Sequence, residues 1–296
     1  LKEEILINVT PSEVRAALLE NGVLQEVYVE RAARRGLISN IYKGRVLRVL
    51  PGMQAAFVDI GLERTAFLHA SDIARPGIPE NGEEVRPIRD LVREGEEIMV
   101  QVVKDPLGNK GARLTTYITL PSRHLVLLPR GNTNGISARI EDEAERERLR
   151  SLVEELIAEQ ELDCGVIVRT VAEGADREAL AADLRYSLKL WDVVQERCKN
   201  SSVKSLVHED LSLPLRVLRD MVTGDVEHIL VDSKADFEAM QEFSATFLPD
   251  ATPDIECYQR RRPIFDLHGI EDEIRKSLER SIPLKSGGYL IFDQTE

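Results

Sequence analysis

Phe57 and Phe67 lie ten residues apart, in two runs that alternate apolar with polar residues: Gln54 to Ile60 and Thr65 to His69. Lys43, Arg45 and Arg48 come just before them, and Lys104 and Lys110 follow within VQVVKDPLGNKGARLTT. Aromatic faces stack on nucleobases while neighbouring cations neutralise phosphates, and on a small barrel that combination holds single-stranded nucleic acid. The same rings could instead fill a core, and the same lysines could be ordinary solvated loop residues. A second candidate is Val168-Arg169-Thr170. There a guanidinium fork beside a hydroxyl suits a terminal phosphate, through charge-assisted and partly bidentate hydrogen bonds. The plain alternative is a solvated arginine at a strand end.

Other residues with reactive side chains show less order. His69, His124, His208, His228 and His268 lack metal spacing such as HExxH and read as structural. Cys164, Cys198 and Cys257 form neither a CxxC pattern nor a disulfide framework, and read as buried or half-buried thiols of a reducing cytoplasm. The loop KDPLGNKG lacks the GK[ST] ending of a phosphate-binding loop. Asp266 and Asp293 read as carboxylates without a partner.

The elements that must position these residues are legible from periodicity. Residues 4–10, 13–19 and 23–30 read as strands, with Asn21-Gly22 as a hairpin turn between the last two. Residues 44–50, 54–60 and 65–69, punctuated by Pro51-Gly52 and Gly61, read as the strands of a small antiparallel barrel. An acidic insertion follows around Glu80–Glu84, then a strand over residues 97–103. From Leu114 two strands lead to Pro129, then a loop to Gly135. Next comes a helix burying Leu149, Leu152, Val153, Leu156 and Ile157. A strand over 165–170 and a long helix with Leu180, Leu184, Leu188, Trp191 and Val194 inward complete an α/β lobe over 119–211. Pro214 fits the first turn of a short helix. A strand at 227–233, a helix to Phe247, a strand at 255–259 and a helix with Ile270, Ile274 and Leu278 in register follow.

Composition limits the function classes. The 296 residues suggest about two domains, and a formal net charge of −13 argues against a general polyanion binder. Residues 36–118 carry 11 Lys and Arg against 11 Asp and Glu, so any nucleic-acid contact would be local. No apolar run is long enough to span a membrane, and no secretory signal opens the sequence. The sequence begins at Leu1 and so reads as trimmed; residues 285–296 read as the opening strand of a further domain.

Four stretches together carry a resemblance: NIYKGRVLRVLPGMQAAFVDIGLERTAFLH, VKDPLGNKGARLTTYITLPSRHLV, VRTVAEG and RRPIFDL. They resemble the bacterial ribonuclease E/G family, closer to its G than to its E members, over essentially the whole chain. The resemblance implies an α+β multidomain fold. A discontinuous RNase H-like lobe (1–35 and 212–278) would be interrupted by an S1-type OB-fold barrel (36–118) and a 5′-monophosphate sensor lobe (119–211). Residues 279–296 would begin a DNase I-like catalytic domain. It implies that Phe57, Phe67, Lys104 and Lys110 contact RNA, and that Arg169 and Thr170, with a backbone group at Val126, bind the 5′-phosphate. Ser122 stands where ribonuclease E has Gly and Ala138 where it has Arg, which bears on the strength of sensing. The implied whole protein is a cytoplasmic, homo-oligomeric, Mg²⁺-dependent endoribonuclease of rRNA maturation and mRNA decay, cutting single-stranded RNA. Its Mg²⁺ ligands and a Zn²⁺ link between subunits would lie beyond Glu296, so this portion would capture RNA without cutting it. The alternative is a non-catalytic RNA-binding module.

Overall fold

Strands β1 (Glu3–Val9), β2 (Glu13–Glu20) and β3 (Val23–Arg31) open the chain as a meander. Asn21 and Gly22 both take positive φ (50° and 76°), as a two-residue hairpin turn compatible with strand twist requires. In this computed structural model the described residues are 2–33, 35–74, 86–131, 133–222, 226–247, 254–284 and 286–293, so the acidic insertion around Glu80–Glu84 lies outside them. The chain forms two compact units, Leu1–Arg35 with Leu211–Glu296, and Gly36–Asp210.

The second unit starts with β4 (Ile41–Leu50), β5 (Ala55–Asp59) and β6 (Ala66–His69), then a short helix α1 (Ile88–Leu91), β7 (Glu97–Lys104) and β8 (Arg113–Thr115). Pairing runs β4-β5-β6-β8-β7, and β7 pairs back onto β4, which closes a five-stranded barrel. Closure leaves the barrel no free edge. Alternate residues point inward: Val46, Ala56, Val58, Ala66, Leu68, Val100, Val102 and Leu114 are all buried in one cluster. Gly111 is what lets β8 approach β6. A Cβ there would lie 1.9 Å from the Thr65 carbonyl oxygen, so only glycine fits without moving the backbone.

The chain continues through β9 (Leu120–Pro121), β10 (Leu125–Leu128), β11 (Asn134–Ile136), α2 (Glu143–Glu159), β12 (Gly165–Val168), α3 (Arg177–Asn200) and β13 (Ser205–His208). The expected two strands between Leu114 and Pro129 are thus three: the end of the barrel and a tight β9–β10 hairpin. A four-stranded sheet in the order β11-β12-β10-β9 packs under α2 and α3, and β13 pairs with the first residues of β4. Leu149, Val153, Leu156, Leu180, Leu184 and Val194 are buried as their spacing requires, with Leu152, Ile157, Leu188 and Trp191 packed around them. Helix α2 is capped by Asp142, whose carboxylate accepts from Ala144 N, and α3 by Asp176, which accepts from Ala179 N.

Helix α4 (Leu213–Asp220), with Pro214 in its first turn, returns the chain to the first unit. There β14 (Val226–Val231), α5 (Lys234–Phe247), β15 (Asp254–Cys257), α6 (Ile264–Leu267) and α7 (Ile270–Ser277) follow. The sheet order is β15-β14-β1-β2-β3, parallel across β15, β14 and β1 and antiparallel beyond. Ile5, Ile7, Val217, Leu218, Ile229, Val231 and Met240 fill one face, and Leu6, Leu19, Tyr258, Ile264 and Phe265 the other. Strands β16 (Ser281–Pro283) and β17 (Tyr289–Ile291) end the described chain as a separate hairpin. Two expectations are corrected. Leu278 is 81% exposed, because α7 ends at Ser277 before the helical register can carry it inward. Asp293 has a partner, since Arg280 reaches it at 3.0 Å across the β16–β17 hairpin.

Candidate nucleic-acid interface

Strand alternation decides where the two phenylalanines point. Their neighbours Ala56, Val58, Ala66 and Leu68 are fully buried in the barrel, so Phe57 and Phe67 project from its outer face, half-buried. They are directly opposed across β5 and β6, with ring centroids 6.3 Å apart and planes at 68°, an edge-to-face pair. His69, two residues on, lies 6.4 Å from Phe67 at 27° and extends the aromatic surface.

Barrel register adds cations on both sides. Arg48 of β4 pairs with Phe57, Phe57 with Phe67, Phe67 with Arg113 of β8, and Arg113 with Lys104 of β7. These five residues therefore form one row that winds around the outside of the barrel, cation-ring-ring-cation-cation, with the two rings adjacent and roughly 19 Å from end to end along the curved surface at the usual strand spacing. Arg48 and Lys104 are exposed. Asp72 holds Arg113 through Nε at 3.0 Å and a second guanidinium nitrogen at 2.9 Å, which fixes the orientation of the guanidinium. Lys110 is not in this row. It sits exposed in the turn between β7 and β8, where its backbone pairs with Leu107. Arg113 was missed from sequence, and no local pattern marks it, because its place beside Phe67 depends on a parallel pairing of distant strands. His69 was missed as well, although its spacing two residues after Phe67 is a usable signal.

The second candidate lies at the end of β12. Arg169 follows Val168, its N–H donates to His124 O at 2.8 Å, and its Nη1 lies 2.5 Å from Ser122 O and 3.2 Å from Arg123 O. The guanidinium is thus braced against the β9–β10 turn. Thr170 Oγ1 is 2.9 Å from Ser137 Oγ, and Ala138 beside it is exposed. Val126 pairs with Ile167, two strand positions from the Arg169 level, or roughly 7 Å along the strand. Arg123 is 8% exposed, and burial pulls its pKa down; the nearby Asp183 carboxylate opposes this and the Arg169 cation adds to it. Burial likewise lowers the pKa of His124 and so favours the neutral imidazole; the Asp183 charge opposes this, and the Arg123 and Arg169 cations add to it. An arginine fork, a hydroxyl pair and a largely buried turn can together surround one small anion.

Among the described residues no three His, Cys, Asp or Glu side chains converge, so Mg²⁺ and Zn²⁺ have no ligand set there. The three cysteines are free thiols. No helix among the described residues is long and apolar enough to cross a membrane.

Two family models match the chain: "Ribonuclease E/G family" over residues 119–296 and "S1 RNA binding domain" over residues 38–116. Ribonuclease G of Escherichia coli (strain K12) is 54% identical over 298 aligned positions, covering 99% of this chain and 60% of that protein. Ribonuclease G of Haemophilus influenzae is 51% identical, with the same coverage. Ribonuclease E of Escherichia coli (strain K12) is 37% identical over 99% of this chain and 28% of that protein. The chain therefore spans 60% of the length of these ribonuclease G relatives. One solved structure, "Crystal structure of a/eIF2alpha-aDim2p-rRNA complex from Pyrococcus horikoshii OT3", shares 15% identity with 54% of this chain and 72% of that chain at a TM-score of 0.22, too slight a likeness to bear on the fold.

Proposed function

Because the chain belongs to the ribonuclease E/G family and carries an S1 RNA-binding domain, we propose that it is the substrate-capturing portion of a cytoplasmic, homo-oligomeric endoribonuclease. The barrel would hold single-stranded RNA and the Arg169 pocket would read its 5′ end. The observation that carries this reading is the row Arg48–Phe57–Phe67–Arg113–Lys104. Two rings stack on successive bases without reading their edges, and the flanking cations follow the phosphates. Lys110, in the adjoining turn, would extend the phosphate track. Hydrolysis in the whole protein would use Mg²⁺, as the resemblance implies, and the Zn²⁺ link would join subunits; neither ion has a ligand set among the described residues.

At the second site Arg169 and Thr170 would bind the terminal phosphate, with the Val126 backbone nearby. Bracing of Arg169 by Ser122 O and Arg123 O supports this, because a guanidinium held in place loses less entropy on meeting an anion. The first unit would be an RNase H-like lobe. Its order β15-β14-β1-β2-β3, parallel on one side and antiparallel on the other, supports that assignment. Asn8, Asp232 and Arg15 are tied to one another there, Asn8 Nδ2 to Asp232 at 2.6 Å and Arg15 to Asn8 Oδ1 at 2.6 and 3.0 Å, which favours a structural role.

The test is equilibrium binding of this chain to one short A/U-rich RNA carrying either a 5′-monophosphate or a 5′-hydroxyl. Both should bind, more tightly at low salt, and the monophosphate form about tenfold more tightly, the value of one charge-assisted bond. Equal affinity of a double-stranded RNA of the same sequence would refute the single-strand assignment.

A further inference from the structure

Asp183 is a carboxylate on α3, 8% exposed, at a position where helical spacing calls for an apolar side chain. Buried carboxylates persist only when their oxygens are satisfied. Here, among the described residues, the donors come from one four-residue turn. Ser122 Oγ lies 2.6 Å from Oδ2, and Oδ2 also accepts from His124 N and Leu125 N, each at 2.9 Å. Arg123 N lies 3.3 Å from Oδ1. In a simple tight turn the Ser122 carbonyl and the Leu125 N–H would bond each other. Here the Leu125 N–H is given to Asp183, and the Ser122 carbonyl accepts from Arg169 Nη1. The carboxylate and the guanidinium thus take the two halves of one turn.

We propose that Asp183 is the positioning residue of the 5′-phosphate site: it fixes the Ser122–Leu125 turn so that two backbone carbonyls hold the Arg169 fork. Asp183 itself does not meet the phosphate, since its oxygens are turned onto the backbone N–H groups. The inference rests on the reading of Arg169 as the phosphate-binding residue. It also gives Ser122 a part in the same anchor, through its hydroxyl contact with Asp183.

Charge and position make opposite forecasts. A carboxylate acting through space opposes a bound phosphate, so neutralising it by either Asn or Ala would tighten binding equally. A positioning carboxylate is replaced well by Asn, which keeps an oxygen acceptor at Oδ2, and badly by Ala, which keeps none. The experiment measures affinity of the whole chain for 5′-monophosphorylated and 5′-hydroxyl forms of one RNA, beside thermal melts, for Asp183→Asn, Asp183→Ala, Ser122→Ala and Arg169→Ala. Asp183→Ala should lose at least about fivefold of the monophosphate preference at unchanged 5′-hydroxyl affinity. Asp183→Asn should stay within about threefold of the parent, and Ser122→Ala should fall between the two. If Asp183→Ala does not fold, Ser122→Ala decides: an unaltered preference overturns the proposal. So does Asp183→Ala with full preference, an equal gain in both Asp183 variants, or an equal loss for both RNAs. If Arg169→Ala keeps the preference, the pocket reading itself fails and the proposal with it; preference lost in Arg169→Ala but kept in Asp183→Ala overturns the proposal alone.

Discussion

Replacing Phe67 by alanine removes one ring of the edge-to-face pair from the outside of the barrel. The ring is half-buried, 6.3 Å from Phe57 and 6.4 Å from His69, while Ala66 and Leu68 on either side fill the core. Two free energies follow from that placement. Loss of a base stack costs ~1–3 kcal/mol of RNA affinity, or about 5- to 150-fold in Kd. Stability should fall by only about 1–2 kcal/mol, because the lost pair is worth ~0.5–1.5 kcal/mol beyond the modest area it covers. A phenylalanine in the barrel core would instead cost ~3–5 kcal/mol on truncation. Fluorescence anisotropy with a short 5′-hydroxyl RNA gives the first number, and urea unfolding gives the second. Phe57→Ala should behave alike. The double variant should show a coupling of at least ~0.5 kcal/mol in binding if the touching rings form one platform. A folded Phe67→Ala variant with unchanged Kd, or one destabilised by ~3–5 kcal/mol, would refute the outward stacking role.

Other outcomes follow from neighbouring groups. Lys104→Ala should flatten the logarithmic salt dependence of RNA affinity by about 0.7 while leaving the melting temperature nearly unchanged, since Lys104 is exposed. Gly111→Ala should destabilise the barrel by at least ~1–3 kcal/mol, read by thermal melting, because its Cβ would meet the Thr65 carbonyl at 1.9 Å. Glu145 is held down at about 2, against an ordinary 4.5, first by Arg148 and then by the Gly174 N–H. A depressed carboxylate stabilises the fold above its unfolded value, and that share is lost as pH falls from about 4.5 towards about 2. Acid melts of Glu145→Gln should lack this component.

Much of this organisation is legible in the sequence, for reasons that differ by element. The barrel strands show because period-2 alternation is interrupted by Pro51-Gly52 and Gly61, where an extended strand cannot continue. The same alternation places Phe57 and Phe67 on one face without saying which face is buried; only packing of Val58 and Leu68 settles that. Arg113 is invisible locally because a long-range parallel pairing, β6 with β8, brings it beside Phe67. Asp183 hides within a helix whose apolar positions Leu180 and Leu184 explain its packing, and its partners lie about sixty residues away. Leu278 misleads because periodicity does not show where a helix stops.

The most direct test of RNA capture by the barrel face is an amide chemical-shift titration of the whole chain with a short 5′-monophosphorylated single-stranded RNA. The amides of Arg48, Phe57, Phe67, Lys104 and Arg113 should shift saturably with either 5′ end, and those of Arg169 and Thr170 only when the phosphate is present. Saturable shifts confined to the unit formed by residues 1–35 and 211–296, with the barrel amides unmoved, would contradict it.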